Sequence, residues 1–219
     1  MPCLFSGVFI FGIGVALIGQ TYNSHADSHM LFLVWLIPTI LLSILIRYEA
    51  FYVLGIILVN LSGWLYINTH SIPTEWSSFL TMFLTNLALA CIFYISEHIA
   101  KTGRYAKYIA FTCTSFYLFI LSFHQDINNI NLFITNLLFI AMLLGTGMYH
   151  LRYKLDVPMV YISTIFGIIY IIARYIKIIV YNFSSGILIQ MIFFGFVLIA
   201  INYFIVEKIN MEIKKARHE

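Results

Sequence analysis

Apolar residues run in eight long stretches along this chain, approximately Leu4 to Gln20, Leu31 to Ile46, Phe51 to Tyr66, Trp76 to Ile95, Tyr105 to Phe123, Asn131 to Tyr149, Pro158 to Val180 and Gly186 to Val206. A few polar residues separate each from the next. A helix rises 1.5 Å per residue, so roughly 20 apolar residues cross a hydrocarbon layer of roughly 30 Å. The stretches are near that length and leave room only for short loops. The pattern predicts an all-α fold, a polytopic integral membrane bundle of about eight transmembrane helices. These form a single transmembrane domain over residues 1–206, followed by a short charged tail over 207–219.

Charge then orients the bundle. Lys and Arg fall between alternate stretches: Arg47, then Lys101, Arg104 and Lys107, then Arg152 and Lys154, and in the tail Lys208, Lys214, Lys215 and Arg217. The intervening loops carry histidine and acid but neither base. Short basic loops are retained on the cytoplasmic side during insertion, so both termini are expected to be cytoplasmic and the number of spans even. Trp35, Trp64 and Trp76 fall towards the outer ends of their stretches, where amphipathic rings favour the interface. Composition agrees: 62% of residues are hydrophobic and 10% charged, with a mean hydropathy of +0.94, well outside the soluble range. The net charge of +3 is mostly this loop bias and does not imply nucleic acid. The lipid bilayer is the expected environment, specifically a bacterial cytoplasmic membrane.

No Lys or Arg precedes Arg47, so the first stretch lacks the basic start of a secretory signal and is expected to remain as a helix. Cys3, Cys91 and Cys113 have no paired spacing, which supports neither a disulfide framework nor a thiolate metal site. The tail mixes Glu207, Lys208, Glu212, Lys214 and Lys215 as a solvated helix does, and is expected to extend the last span and fray.

The first two stretches carry Ile18-Gly19-Gln20-Thr21-Tyr22 at the end of a glycine-rich helix, then a polar loop with Asp27, then Trp35 and Pro38, with Arg47 closing the second stretch. In this order the residues resemble a bacterial multi-pass membrane family known as domain of unknown function 2157. The likeness covers roughly the first quarter of the chain. It implies the same membrane topology and, since that family has no established activity, no catalytic residues. The chain lacks the cytoplasmic segment and leading helix pair that precede this motif in the family, which implies a shortened member or one half of a split assembly.

Candidate chemistry lies in the outer loops. One contains His25, Asp27 and His29, the next His70 and Glu75, the third His124 and Asp126. Imidazole and carboxylate suit zinc and similar divalent ions, and the His25-x-Asp27-x-His29 spacing can place several ligands around one metal. The competing account is that short outer loops need polar residues, and that histidine is what remains once bases are excluded by topology. Arg174 and Lys177, three apart on one helical face, are intramembrane charges and so functional candidates. They offer either an anion site at the outer face or a structural role, by snorkelling or by pairing with Asp27, Glu75 or Asp126. Gln20 and Tyr22 stand beside the His25 loop, able to orient a ligand or to anchor the helix end.

Asn60, Asn86, Asn136 and Asn202 fall within spans, where an amide needs partners that hydrocarbon cannot supply. Interhelical hydrogen bonds are the ordinary expectation. Gly12, Ala16 and Gly19 leave a nearly flat helix face suited to close packing, on another membrane protein or a second copy. Glu97-His98 lacks the second histidine of a zinc-protease helix, and Glu97 is expected to pair with Lys101 at helical spacing. No serine occupies a nucleophile-elbow setting and no phosphate loop is present.

The sequence thus points to a non-enzymatic membrane protein that binds a small ligand or ion, a divalent metal among the candidates, at its outer face for sensing or transport. A structural or assembly subunit of a membrane complex is the alternative. A lipid-directed membrane enzyme ranks last.

Overall fold

The computed structural model describes residues 2–21, 28–69, 75–123, 129–181 and 188–218. Its elements are α1 (Pro2–Thr21), α2 (Ser28–Ile46), α3 (Glu49–Thr69), α4 (Glu75–Ala100), α5 (Arg104–Phe123), α6 (Asn129–Arg152), α7 (Val157–Tyr181) and α8 (Leu188–His218). Among the described residues there is no strand, and the fold is all-helical as expected. Six helices, α2 to α7, are long and apolar enough to cross a membrane, and α1 adds a shorter apolar stretch, Cys3–Gly19. Each of the eight apolar stretches overlaps one of the eight helices, and α8 is not among the six of span length and hydropathy. The tail is part of α8, which continues as helix to His218.

Large apolar side chains lie on the outside of the helices and small polar ones within. Leu45, Ile57, Ile92 and Leu137 are exposed, while Thr39, Asn86, Thr114, Ser115 and Ser122 are fully buried. Small and hydroxyl-bearing residues at interfaces let helix backbones approach, which substitutes for a hydrophobic drive that lipid cannot provide.

The chain divides into two compact units, Met1–Leu132 and Phe133–Glu219. In the first, α1 packs on α2, α2 on α3, α4 on α5, and α3 on both α4 and α5. Val8, Phe51, Leu54 and Leu58 form one core with Phe5 and Trp35 against them; Ile56, Phe93, Ala106 and Ala110 form another. Gly12 and Gly19 serve α1–α2 packing inside the chain. A methyl group at Gly12 would overlap the Trp35 ring, and one at Gly19 would lie 2.8 Å from Leu31. Ala16 is exposed.

Two tight turns meet at one end of this unit. Arg47 (φ +53°) ends α2 and Lys101 (φ +54°) ends α4, both in the left-handed conformation, and Gly103 (φ +82°) follows where a side chain would be strained. Glu49, in the first turn of α3, accepts hydrogen bonds at Oε1 from the backbone N–H groups of Gly103 (2.7 Å) and Arg104 (3.0 Å). It thereby caps α5 from a distant part of the chain, satisfying donors that a helix start leaves open.

Beside this cap, Lys107 Nζ donates to Glu97 Oε2 at 2.7 Å, with the lysine 1% exposed. This corrects two expectations. Glu97 pairs with Lys107 rather than Lys101, and Lys107 lies inside α5 rather than in a loop. The cause is the helical phase of α5, in which Lys107 falls on the same buried stripe as Ala110, Phe111, Thr114 and Leu118.

In the second unit, Asp156 precedes α7 and its carbonyl accepts the N–H of Val160 at 3.2 Å. Pro158 sits in the first turn, where its missing N–H costs nothing. Tyr161 of α7 donates to Asn210 of α8 at 2.7 Å, and a methyl group at Gly195 of α8 would lie 3.4 Å from the Tyr175 hydroxyl. The two helices therefore run antiparallel, with the α6–α7 turn and the C-terminal part of α8 at the same end of this unit.

Candidate functional site

Within the second unit, α6, α7 and α8 line a cleft of about 310 Å³ that is open on one side. That is at the lower bound of the range typical of small-molecule pockets, roughly 300 to 1,000 Å³. Helical periodicity builds it. Val160, Ser163, Thr164, Gly167, Ile168 and Ile171 recur on one face of α7, and Leu143, Gly147 and Leu151 face them from α6. Small residues create the space. A methyl group at Gly147 would be 3.6 Å from Ser163 Cβ, an ordinary contact, whereas one at Gly167 would have nothing within 4 Å. Leu144 and Met148, which also line the cavity, are exposed and mark its open side; Leu143, Val160 and Ser163 are buried in its interior.

Three polar residues, Ser163, Thr164 and Asn202, stand among the lining, whose accessible surface is nearly all apolar. Ser163 Oγ and Asn202 Oδ1 are both buried without a hydrogen-bond partner among the described residues, and both residues line the cavity. The neighbouring Thr164 behaves as hydroxyls in apolar helices usually do, its Oγ1 donating to the Val160 carbonyl at 2.8 Å. Thr39, Thr112 and Thr114 do the same in the first unit. Ser163 departs from that habit.

Beyond the cavity, a polar cluster joins α6 to α7. Asn136 Oδ1 accepts from the Tyr170 hydroxyl at 2.8 Å and from Arg174 Nη2. The Arg174 guanidinium lies 5.3 Å from the centre of the Tyr170 ring, within cation–π range. Phe139, fully buried, packs on Tyr170 with ring centres 5.1 Å apart, one turn before Leu143 of the cavity wall. Asn136 and Tyr170 thus both touch Arg174, and Asn136 makes interhelical bonds to α7 as expected of an amide in an apolar helix. Lys177 lies on α7 three residues further on and is partly buried.

Of the expected outer-loop ligands, His29 and Glu75 are described. His29 occupies the first turn of α2, 2% exposed, with its ring edge against Tyr66 at 5.2 Å. Glu75 opens α4 and is exposed. His25, Asp27, His70, His124, Asp126 and Tyr22 lie outside the described residues, and of Gln20 only the backbone, in the last turn of α1, is described. Among the described residues no three His, Cys, Asp or Glu side chains gather so as to hold a metal ion.

In the first unit, Asn60 and Asn86 form a closed pair. Asn60 Nδ2 donates to Asn86 Oδ1 at 3.0 Å, and Asn86 Nδ2 donates to Asn60 Oδ1 at 2.8 Å. Their second donors go to the carbonyls of Ile56 and Met82 in their own helices, each at 2.9 Å. With both oxygens and all four N–H groups engaged, this pair fastens α3 to α4 and offers nothing to a ligand.

Residue-by-residue reading of the sequence marked Asn202 as an intramembrane amide but passed over Ser163, Gly147 and Gly167. The signal was present as small residues at matching helical positions of two adjacent spans. No family model, curated protein or solved structure matches the chain.

Proposed function

We propose that this chain is a non-enzymatic multi-pass protein of a bacterial cytoplasmic membrane that binds a small, mainly apolar molecule for sensing or transport, in the cavity between α6, α7 and α8. The alternation of basic and base-free connections supports the membrane orientation, with both termini cytoplasmic. The observation that carries the binding reading is the cavity itself: about 310 Å³ within one compact unit, with Gly167 in its wall, where an added methyl group would meet nothing within 4 Å. Close packing is the rule in protein interiors, and an empty space of this size forfeits dispersion contacts that an apolar occupant restores.

The test is native mass spectrometry of protein extracted gently from its own membrane, comparing the unaltered chain with Gly167→Leu and Arg174→Gln. Leucine at position 167 grows into open space and fills the cavity while improving helix propensity by about 1 kcal/mol. We expect the unaltered chain to carry a small-molecule adduct, Gly167→Leu to lose it without a lower melting temperature, and Arg174→Gln to keep it. An adduct lost with Arg174→Gln and retained with Gly167→Leu would move the site to the Arg174 and Lys177 end of α7. A bare chain in every case would sink the reading.

A further inference from the structure

We infer that the molecule held in the cleft is an anionic glycerophospholipid of the cytoplasmic leaflet, with one acyl chain lying between α6 and α7 and its phosphate on Arg152 and Lys208. This inference rests on the proposed binding function and orientation, and it specifies the ligand.

The cleft offers its occupant almost nothing but hydrocarbon. Its accessible lining is nearly all apolar, and none of the lining residues is ionisable. Ser163 Oγ and Asn202 Oδ1 are buried and present no surface to a ligand. Moving a charged or polar group from water into such a space without a partner is costly. What enters is therefore an apolar chain, and the polar part of the same molecule stays outside.

Length identifies the chain. Along α7 the lining runs from Val160 to Ile171, or roughly 16 Å of helix axis. Half of a hydrocarbon core of roughly 30 Å is roughly 15 Å, the depth of one leaflet. Val160 is the fourth residue of α7 and Ile171 stands near the middle of that helix, so in the proposed orientation the cleft starts at the cytoplasmic end of the span and stops close to the midplane. It has the position and reach of an acyl chain in the inner leaflet. The exposed side chains of Leu144 and Met148 border the open side, through which such a chain slides in from the bilayer.

Charge identifies the headgroup. Leu144, Met148 and Arg152 follow one another at four-residue intervals on α6, so Arg152 continues the open edge of the cleft by one turn. On α8, Ile209 lines the cleft and the exposed Lys208 precedes it. The 2.7 Å bond from Tyr161 to Asn210 ties this part of α8 to the start of α7. Arg152 is exposed and makes no hydrogen bond or ion pair among the described residues. From Arg152 to Asp156 and from Glu207 to Lys215 the chain holds five bases against three acids, so this end carries net positive charge. Tyr149 and Tyr153, both exposed and with ring centres 5.9 Å apart, are residues of the kind that settle at headgroup level. A guanidinium at that level can donate two parallel hydrogen bonds to one phosphate. Basic sites on the cytoplasmic side of a helix bundle attract anionic headgroups, and a zwitterionic headgroup gains less because it brings its own cation.

The decisive experiment is competitive photolabelling of the full chain in detergent micelles. The probe is a phosphatidylglycerol with a diazirine in one acyl chain. Phosphatidylglycerol, phosphatidylcholine and diacylglycerol with the same acyl chains compete at equal concentration, and labelled peptides are mapped by mass spectrometry. We expect labelling on the cleft-lining parts of α6 and α7, displaced by phosphatidylglycerol about tenfold better than by the other two, the order expected of two bases acting on one anionic headgroup. In Arg152→Gln with Lys208→Gln the labelling should persist while that preference shrinks towards one. Lys214→Gln with Lys215→Gln removes the same charge further along α8 and should leave the preference unchanged. Gly167→Leu should lose the cleft labelling.

The failures are separable. Equal displacement by all three lipids in the unaltered chain would overturn the anionic headgroup and leave the binding of an apolar molecule standing. A preference lost equally in both double variants would report diffuse attraction to a positive surface and overturn the Arg152 and Lys208 site, again without touching the cleft. Labelling that is undiminished in Gly167→Leu would report ordinary annular lipid and overturn the binding function as well.

Discussion

Asn86 shows at the scale of one residue how this chain treats polarity. It is fully buried, yet its amide meets Asn60 reciprocally and the Met82 carbonyl besides. Removing one partner strands the other in a place without water, so we expect Asn86→Ala to lower stability by about 0.6 to 2 kcal/mol, the range of interhelical hydrogen bonds in membranes. The double variant with Asn60→Ala should cost less than the sum of the two single changes, because the second truncation removes an already orphaned amide. Reversible unfolding in mixed micelles would measure both, and strict additivity would show that the pair is not coupled. The sequence marks these asparagines as needing partners, since hydrocarbon supplies none, and only the relative rotation of α3 and α4 decides that they find each other. Ser163 is the contrasting residue. Nothing in its neighbours Ile162 and Thr164 distinguishes it, and its burial emerges from the close approach of α6, where a methyl group at Gly147 would lie 3.6 Å from its Cβ.

Among the elements, α5 is the most informative. Its buried stripe joins Ala106, Lys107, Ala110, Thr114, Ser115 and Leu118, so a lysine is drawn into an interface otherwise made of small residues. The start of the helix at Arg104 fixes this phase, and Glu49 fixes the start by holding the N–H groups of Gly103 and Arg104. The stretch from Tyr105 already contains Lys107, but counting this lysine with the cytoplasmic bases hides that consequence, because a base near the end of a span satisfies the charge rule whichever way it faces. A single helical turn separates a solvated lysine from a buried one. Once buried, Lys107 needs Glu97, and Glu97→Gln should destabilise by about 3 to 5 kcal/mol by leaving an uncompensated charge. Replacing both partners, Glu97→Leu with Lys107→Met, should cost much less, since paired charges repay their desolvation only partly. Thermal unfolding in detergent measures the two variants side by side. A double variant as unstable as Glu97→Gln would mean that the site requires ions rather than merely tolerating a matched pair.

Taken as a molecule, the chain gathers its turn and tail bases at one end of each compact unit, while Arg174 and Lys177 stand apart towards the other end of α7. In the first, the Glu49 contact brings the turn containing Arg47 beside the turn containing Lys101 and Arg104. In the second, the Tyr161 to Asn210 bond sets the turn containing Arg152 and Lys154 beside the part of α8 that carries Lys208 and Lys214. Hydropathy makes the eight helices legible, because each is a long apolar stretch, and the alternation of bases is what supports the proposed direction, because insertion acts on the linear sequence. The cavity is less so, since it arises from matched small residues on three helices and no periodicity in one helix reports on another. Orientation therefore yields a sharp expectation. Green fluorescent protein joined after Gly103, after Lys154 or at Glu219 should fluoresce, and alkaline phosphatase joined at those places should be silent. After Pro73 or Asn128 the two reporters should exchange behaviour. Exchanging the charges should exchange the result: Arg152→Asn with Lys154→Asn, combined with lysines placed at positions 125 and 128, weakens the hold on the α6–α7 turn and should raise phosphatase activity there. If the C-terminal reporter instead proves external while the reporter after Gly103 stays internal, one of the eight helices does not cross, and the count of spans is odd.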